Sequence, residues 1–493
     1  MPGPIDVTTD KGVVHGSMQD GARSFLGIPF AAPPIGALRF RPPADAAPWT
    51  APLDAVHYGP MCTQLLPSGK AVADGSVEDC LTLNVWTPEA DVKKAPVFVW
   101  IHGGGFVTGS GSEAMYNGTR LARKSGAIVV SFNYRLGALG FVSYPAIASE
   151  QGVATLPSPG LLDQQAALRW VQRNIASFGG DPENVTLFGE SAGGMSTCAH
   201  LAMPQSKGLF AHAIIQSGPC FGFLFVDKAT AEDQGTRLAT AVGCTDAGTM
   251  AACLRSKSAQ ELLTALPLRE AFLGMPGDVF GPAIDGVTLP KAPYDAIAAG
   301  EISKVPVILG TNVNEGQSFL KLYGRDPTPA EARSILETLV GKAKADAVAG
   351  KYPVDTATKT ALTDIITDGV FTCGTRRAAR ALRNAGVKTW RYQFTYPYAL
   401  FAFPELVATH GFEIPFVFGY GLFGSSLTDA DLEVVASVQG YWSRFGKSGD
   451  PNGAGAPTWP AFGPDDAYLA LDAPPVAKAD LKKETCDFWD GIY

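Results

Sequence analysis

The chain has 493 residues, 46% of them hydrophobic and 17% charged, with 55 glycines, 37 prolines and a formal net charge of −8. This composition excludes a disordered chain and fits a large, rather apolar globular enzyme rich in tight turns. The acidic balance argues against nucleic acid and anionic membrane surfaces as partners. No apolar run is long enough to span a bilayer, and Met1 to Asp10 carries neither the basic nor the apolar region of a signal peptide. No repeat, charge block or low-complexity linker marks a boundary, so residues 1–493 are read as one large domain.

In chain order, the first ninety or so residues read as antiparallel hairpins at one edge of a sheet, from short runs such as Gly12–Gly16 and Ser24–Gly27. Val97–Ile101 and Ala127–Phe132 are buried-strand runs. Asp163–Phe178 has helical spacing through Leu168, Val171 and Ile175. Val185–Phe188 is a strand, and Ala192–Leu201 is the helix after it. Strands follow at Ala213–Ile215, Val305–Leu309 and Lys388–Thr395, and Leu432, Val435, Val438, Trp442 and Phe445 mark a late amphipathic helix. Continuous apolar strands alternating with helices mean an α/β fold, a mainly parallel sheet covered on both faces.

Gly189-Glu190-Ser191-Ala192-Gly193 is the one G-x-S-x-G in the chain. A glycine-rich chain yields this pattern easily by chance, so its context decides. Here a strand ends at Phe188 and a helix begins at Ala192, which is the sharp turn that exposes a nucleophilic hydroxyl. The Ala192 N–H, first in the helix, is aimed at a developing oxyanion. Upstream, His102-Gly103-Gly104-Gly105-Phe106 follows the strand ending at Ile101. Three glycines let bare N–H groups converge where side chains would obstruct. The run does not fit G-x-G-x-x-G, since Thr108 stands at the third glycine, and it has no lysine for phosphate. Gly104 and Gly105, with Ala192, are the expected oxyanion donors.

There are six histidines: His15, His57, His102, His200, His212 and His410. The chain order Ser, acid, His leaves His410 as the base, with room for an acid before it. His200 lies on the helix behind the nucleophile and His212 before an apolar strand, so both read as structural. His102 is the rival, read as a packing or hydrogen-bonding residue. Glu315, just past the strand 305–310, is the expected acid, with Glu413 as a supporting partner and Asp285 in a turn.

The eight cysteines are Cys62, Cys80, Cys198, Cys220, Cys244, Cys253, Cys373 and Cys486, with no C-x-x-C and no zinc spacing. Spacing alone leaves buried thiols and small disulfide loops equally open.

At this point the motifs resemble those of the type-B carboxylesterases, the group that includes cholinesterases and several fungal lipases. The likeness runs over nearly the whole chain. It includes Phe25–Ala31, Glu78–Trp86, Asn133-Tyr134-Arg135, Phe178–Pro182, Gly189–Gly194, Asn314-Glu315-Gly316 and His410–Phe416. The resemblance implies an α/β-hydrolase fold, a triad of Ser191, Glu315 and His410, and oxyanion donors at Gly104, Gly105 and Ala192. It also implies a Cys62–Cys80 disulfide and a Cys244–Cys253 disulfide, with Cys373 and Cys486 matching a third bridge. Disulfides point to a secreted or periplasmic protein, with the cytoplasm as the alternative. Members that have lost catalysis serve in adhesion, but here the triad and the glycine loop are intact.

The expectation is therefore a serine carboxylesterase acting through an acyl-enzyme, with no cofactor and no metal, on a small-molecule ester, as a monomer or dimer. An amidase, lactonase or polyester hydrolase with the same triad is the alternative. Neutral short-to-medium-chain or aryl esters are expected over choline esters, because 63–79 holds no aromatic residue to face a quaternary ammonium. Phe221, Phe223, Leu224 and Phe225, together with Phe319, are read as apolar pocket walls. Asn117-Gly118-Thr119 and Asn184-Val185-Thr186 fit glycosylation sequons, and the second precedes a buried strand, which favours a chance match.

Overall fold

The computed structural model describes residues 5–66, 69–222, 224–266 and 278–493. An 11-stranded sheet forms its centre. In chain order the strands are β1 (Ser17–Gln19), β2 (Ala22–Pro29), β3 (Thr82–Pro88), β4 (Ala95–Ile101), β5 (Ile128–Phe132), β6 (Gly180–Glu190), β7 (His212–Gln216), β8 (Val307–Asn312), β9 (Thr389–Phe394), β10 (Tyr468–Leu471) and β11 (Val476–Lys478). Across the sheet they stand β11-β10-β9-β8-β7-β6-β4-β5-β3-β2-β1. Strands β4 to β10 run parallel. Strands β1 to β3 form the expected antiparallel edge. A second antiparallel edge, where β11 folds back on β10, has no counterpart in the sequence reading.

Both faces of the sheet are apolar, which explains why the central strands read as unbroken apolar runs. Val97, Val99 and Ile101 of β4 enter one core, while Phe98 and Trp100 enter the other. Helix α1 (Pro159–Asn174) lies on the first side, with Leu161, Leu168 and Val171 in that core. Helix α4, as labelled here after α2 (Ala192–Ala202) and α3 (Gly374–Asn384), spans Asp429–Ser448 and packs Val438, Trp442 and Phe445 into the second core. The run expected at 163–178 is thus α1 followed by a 3-10 turn at Ile175–Phe178. Val13–His15 does form a hairpin, with Asp6–Thr8, but in a separate three-stranded sheet rather than at the main edge.

Four disulfides join Cys62–Cys80, Cys198–Cys220, Cys244–Cys253 and Cys373–Cys486. The Cys198–Cys220 bridge was not expected from the sequence. Among the described residues no helix is long and apolar enough to cross a membrane.

Candidate active site

The parallel strands end together at one rim, and that rim gathers the expected residues. Ser191 stands between β6 and α2 with φ 56 and ψ −123, a left-handed conformation that a serine adopts only under strain. Close packing holds it there. A Cβ on Gly193 would meet the Ile101 carbonyl oxygen at 2.0 Å, so only glycine lets α2 start this near β4. The Ser191 N–H is fixed to the Gln216 carbonyl at 3.0 Å.

The glycine loop lies against this turn. A Cβ on Gly103 would sit 3.1 Å from the Ser191 Cβ. Gly104, Gly105 and Phe106 all have positive φ (104, 61 and 64), a run of left-handed residues of the kind that forms anion-binding concavities. The loop is braced from two sides. Gln64, inside the Cys62–Cys80 loop, accepts the Gly109 N–H at 2.8 Å and the Thr108 hydroxyl at 2.5 Å. Tyr134 donates to the His102 carbonyl at 3.0 Å and its ring stacks on the imidazole. Beside Tyr134, Asn133 donates to the carbonyls of Pro60 and Cys80, and Arg135 forms a forked, buried ion pair with Asp163 of α1. The motif Asn133-Tyr134-Arg135 therefore ties the disulfide loop, the glycine loop and α1 together. His102 itself is fully buried, with its pKa lowered to about 4 by that burial, against a small upward pull from the Gly103 carbonyl.

His410 and Glu315 come from loops 95 residues apart in sequence. His410 Nδ1 is bonded to Glu315 Oε2 at 2.7 Å. The other carboxylate oxygen, Oε1, accepts from the Ser217 hydroxyl and the Asn312 N–H, both at 2.6 Å. Glu315 is thus fully buried and held on both oxygens. Glu413 is also buried, and it accepts from Gln216 at 3.0 Å and Asn312 at 2.6 Å, one shell removed from the imidazole. Burial raises its pKa first, and the nearby Glu315 adds to the rise.

A third carboxyl went unnoticed in the sequence. Glu190, the variable position of the serine motif, is buried, and its Oε1 lies 3.2 Å from His410 Nε2. Burial pushes its pKa up to about 8, opposed by the attraction of His410. Burial would lower His410, but Glu190 above all, then Glu315 and Glu413, outweigh it and lift the imidazole to about 9. Glu190 lifts His410 only when ionised, whereas His410 acts against the rise of Glu190.

The other histidines lie elsewhere. His200 is bonded to Ser206 at 2.9 Å and Gln164 at 3.1 Å beneath α2, and His212 faces Thr186 and Phe445. Asp285 caps a turn, accepting the N–H groups of Val287, Thr288 and Leu289. Phe319 packs on His410 at 4.8 Å between centroids and stacks on Phe371 at 5.8 Å. Phe371 is carried by a π-helix, Ile366–Cys373, that runs into α3. Phe225 is buried, and Phe223 lies outside the described residues.

Known proteins similar to this chain point to one family. Residues 4–489 match the model of the carboxylesterase family. A para-nitrobenzyl esterase of Bacillus subtilis (strain 168) is 37% identical over 500 residues, covering 97% of each chain. A medium-chain fatty acyl-CoA hydrolase precursor of Anas platyrhynchos is 36% identical over 526 residues, covering 98% of this chain and 91% of its own. A solved PNB esterase superposes with a TM-score of 0.87 at 35% identity, over 98% of this chain and 99% of that one. A thermophilic PNB esterase gives 0.86 at 34%, with the same coverage. The chain belongs to the carboxylesterase family and is a carboxylic ester hydrolase of the α/β-hydrolase fold.

Proposed function

We propose that Ser191 attacks the ester carbonyl, with His410 as general base and then acid, and Glu315 orienting and stabilising the imidazolium. The observation that carries this reading is the 2.7 Å bond between His410 Nδ1 and Glu315, which leaves Nε2 facing the Glu190–Ser191 turn. The Gly104, Gly105 and Ala192 N–H groups receive the oxyanion, and water then deacylates Ser191. The whole chain, 1–493, acts as one unit. The four disulfides favour an oxidising compartment, secreted or periplasmic.

The substrates in this reading are neutral short-to-medium-chain or aryl esters, in keeping with the name para-nitrobenzyl esterase that a similar protein bears. An apolar cavity of about 230 Å³ supports it, with Met195, Pro219, Phe221 and Leu224 among its walls. The test pairs two measurements. A phosphonate ester inhibitor labels one residue per chain, and the labelled peptide contains Ser191. Butyrylcholine gives a lower kcat/KM than an uncharged isosteric butyrate. Label on another residue defeats the nucleophile assignment, and parity between the two esters defeats the substrate preference.

A further inference from the structure

The Cys198–Cys220 bridge differs from the other three in its position. Cys198 is on α2, the helix that Ser191 begins, and Cys220 is in the segment that leaves β7 after Ser217. Both are buried. That segment, through Pro219, Phe221 and Leu224, forms one wall of the 230 Å³ cavity. Two other walls stand close in the chain to residues of the candidate site. Met195 is one helical turn from Ser191, its N–H bonded to the Ser191 carbonyl at 2.9 Å. Val370 stands next to Phe371, whose ring packs on His410 at 4.9 Å. Reacting groups and cavity wall are thus joined through α2 by a covalent bond.

At its start the segment lies close against α2, where a Cβ on Gly218 would meet Gly194 at 2.5 Å. Its outer anchor is the Phe221 ring, which lies against Gly374 of α3 and 4.7 Å from the Tyr493 ring. Gly222 has φ +110, with open space where a Cβ would be, and its carbonyl accepts the Phe225 N–H at 3.1 Å. On its inner side the cross-link ties the wall to the nucleophile's helix, beyond the close approach of Gly218 to Gly194 at the start of the segment.

We infer that the Cys198–Cys220 disulfide sets the width of this cavity and with it the chain-length selectivity of ester hydrolysis. The inference rests on the reading of Ser191 as nucleophile. The cavity takes an apolar alkyl or aryl arm of the ester. Because both cysteines are buried, solution reductants do not reach the bond in the folded protein, so it acts as a fixed dimension and not as a redox switch.

The test measures kcat/KM along two series, p-nitrophenyl acylates of growing acyl chain and alkyl acetates of growing alcohol. In the unaltered enzyme each methylene seated in the cavity adds about fourfold. Cys198→Ala with Cys220→Ala should reduce the gain from the shortest to the six-carbon member by about fivefold or more in one series. The rate on the shortest ester should stay within about threefold. Cys244→Ala with Cys253→Ala, the control for loss of a bridge as such, lowers thermal stability and leaves both gains unchanged. If the Cys198/Cys220 variant does not accumulate, Gly222→Ala, which cannot keep φ +110 without strain, should reduce the same gain. Unchanged gains in both series, or an equal fall for short and long esters, overturn the inference. Ser191→Ala run alongside separates the two readings: activity surviving there defeats the nucleophile, whereas an active bridge variant with unchanged gains defeats only the bridge's role.

Discussion

The two halves of the proposed active site are built differently. On the nucleophile side the backbone does the positioning. Ser191, Gly104 and Gly105 owe their placement to positive φ angles and to glycines that let β4, β6 and α2 nearly touch. On the acid–base side, side chains hold side chains: Glu315 is fixed by Ser217, Asn312 and His410, and Glu413 by Gln216 and Asn312. A backbone-built half tolerates no added atom but needs few particular side chains. A side-chain-built half keeps its shape under isosteric change and loses its charges. Substitutions on the two halves should therefore fail in different ways.

The largest effect belongs to Ser191→Ala, which should lower kcat by about four to six decades while thermal unfolding is unchanged. More than a few per cent of residual activity would remove Ser191 from its role. On the side-chain half, Glu315→Gln keeps the shape and loses the charge that stabilises imidazolium, so kcat should fall by about a hundredfold or more. Glu413→Gln should be milder; the reverse ranking would reassign the acid. On the backbone half, Gly193→Ala adds one methyl against the Ile101 carbonyl and must displace the elbow. We expect about a tenfold to hundredfold loss of kcat, since a displacement near 1 Å is worth up to that much. Unlike Glu315→Gln, it should also lower the melting temperature. A variant with wild-type stability and rate would show that the close approach is not required.

The smallest change tests the contact between the halves. As the proposed base, His410 must be neutral to act, so kcat/KM should rise with pH through its pKa. Ionised Glu190 raises that pKa. Glu190→Gln removes the charge and should move the ascending limb of the pH profile to lower pH, with a modest change at the plateau. A limb that stays put, or moves to higher pH, contradicts the raising of His410 by Glu190.

The same contrast governs what the sequence could reveal. The backbone half is local: His102–Phe106 and Gly189–Gly193 are short motifs, each next to a readable strand, and both proved to lie against each other. The parallel strands were legible because both faces are apolar. Glu315 and His410 followed from chain order and family likeness, since nothing in their immediate neighbours shows that the two loops meet. Glu190 occupies a position the motif leaves free, and its burial beside His410 arises only from the fold. Ser217, Asn312 and Gln216 are ordinary polar residues until the strand ends converge. Cys198 and Cys220 are 22 residues apart with a strand between them, so spacing gave no sign of the bridge. The fold-back strand β11 is three exposed residues, too short for any periodicity to register.

That short strand, with its counterpart β1, has a consequence for the protein in a crowd. A large sheet carries two open margins along which identical molecules can join end to end. Here one margin is Ser17–Gln19 and the other Val476–Lys478, each three residues long and each antiparallel to its neighbour. So brief a row of free N–H and C=O groups, with Lys478 on one of them, gives a passing copy almost nothing to align with. These two sheet margins thus offer little for fibre growth.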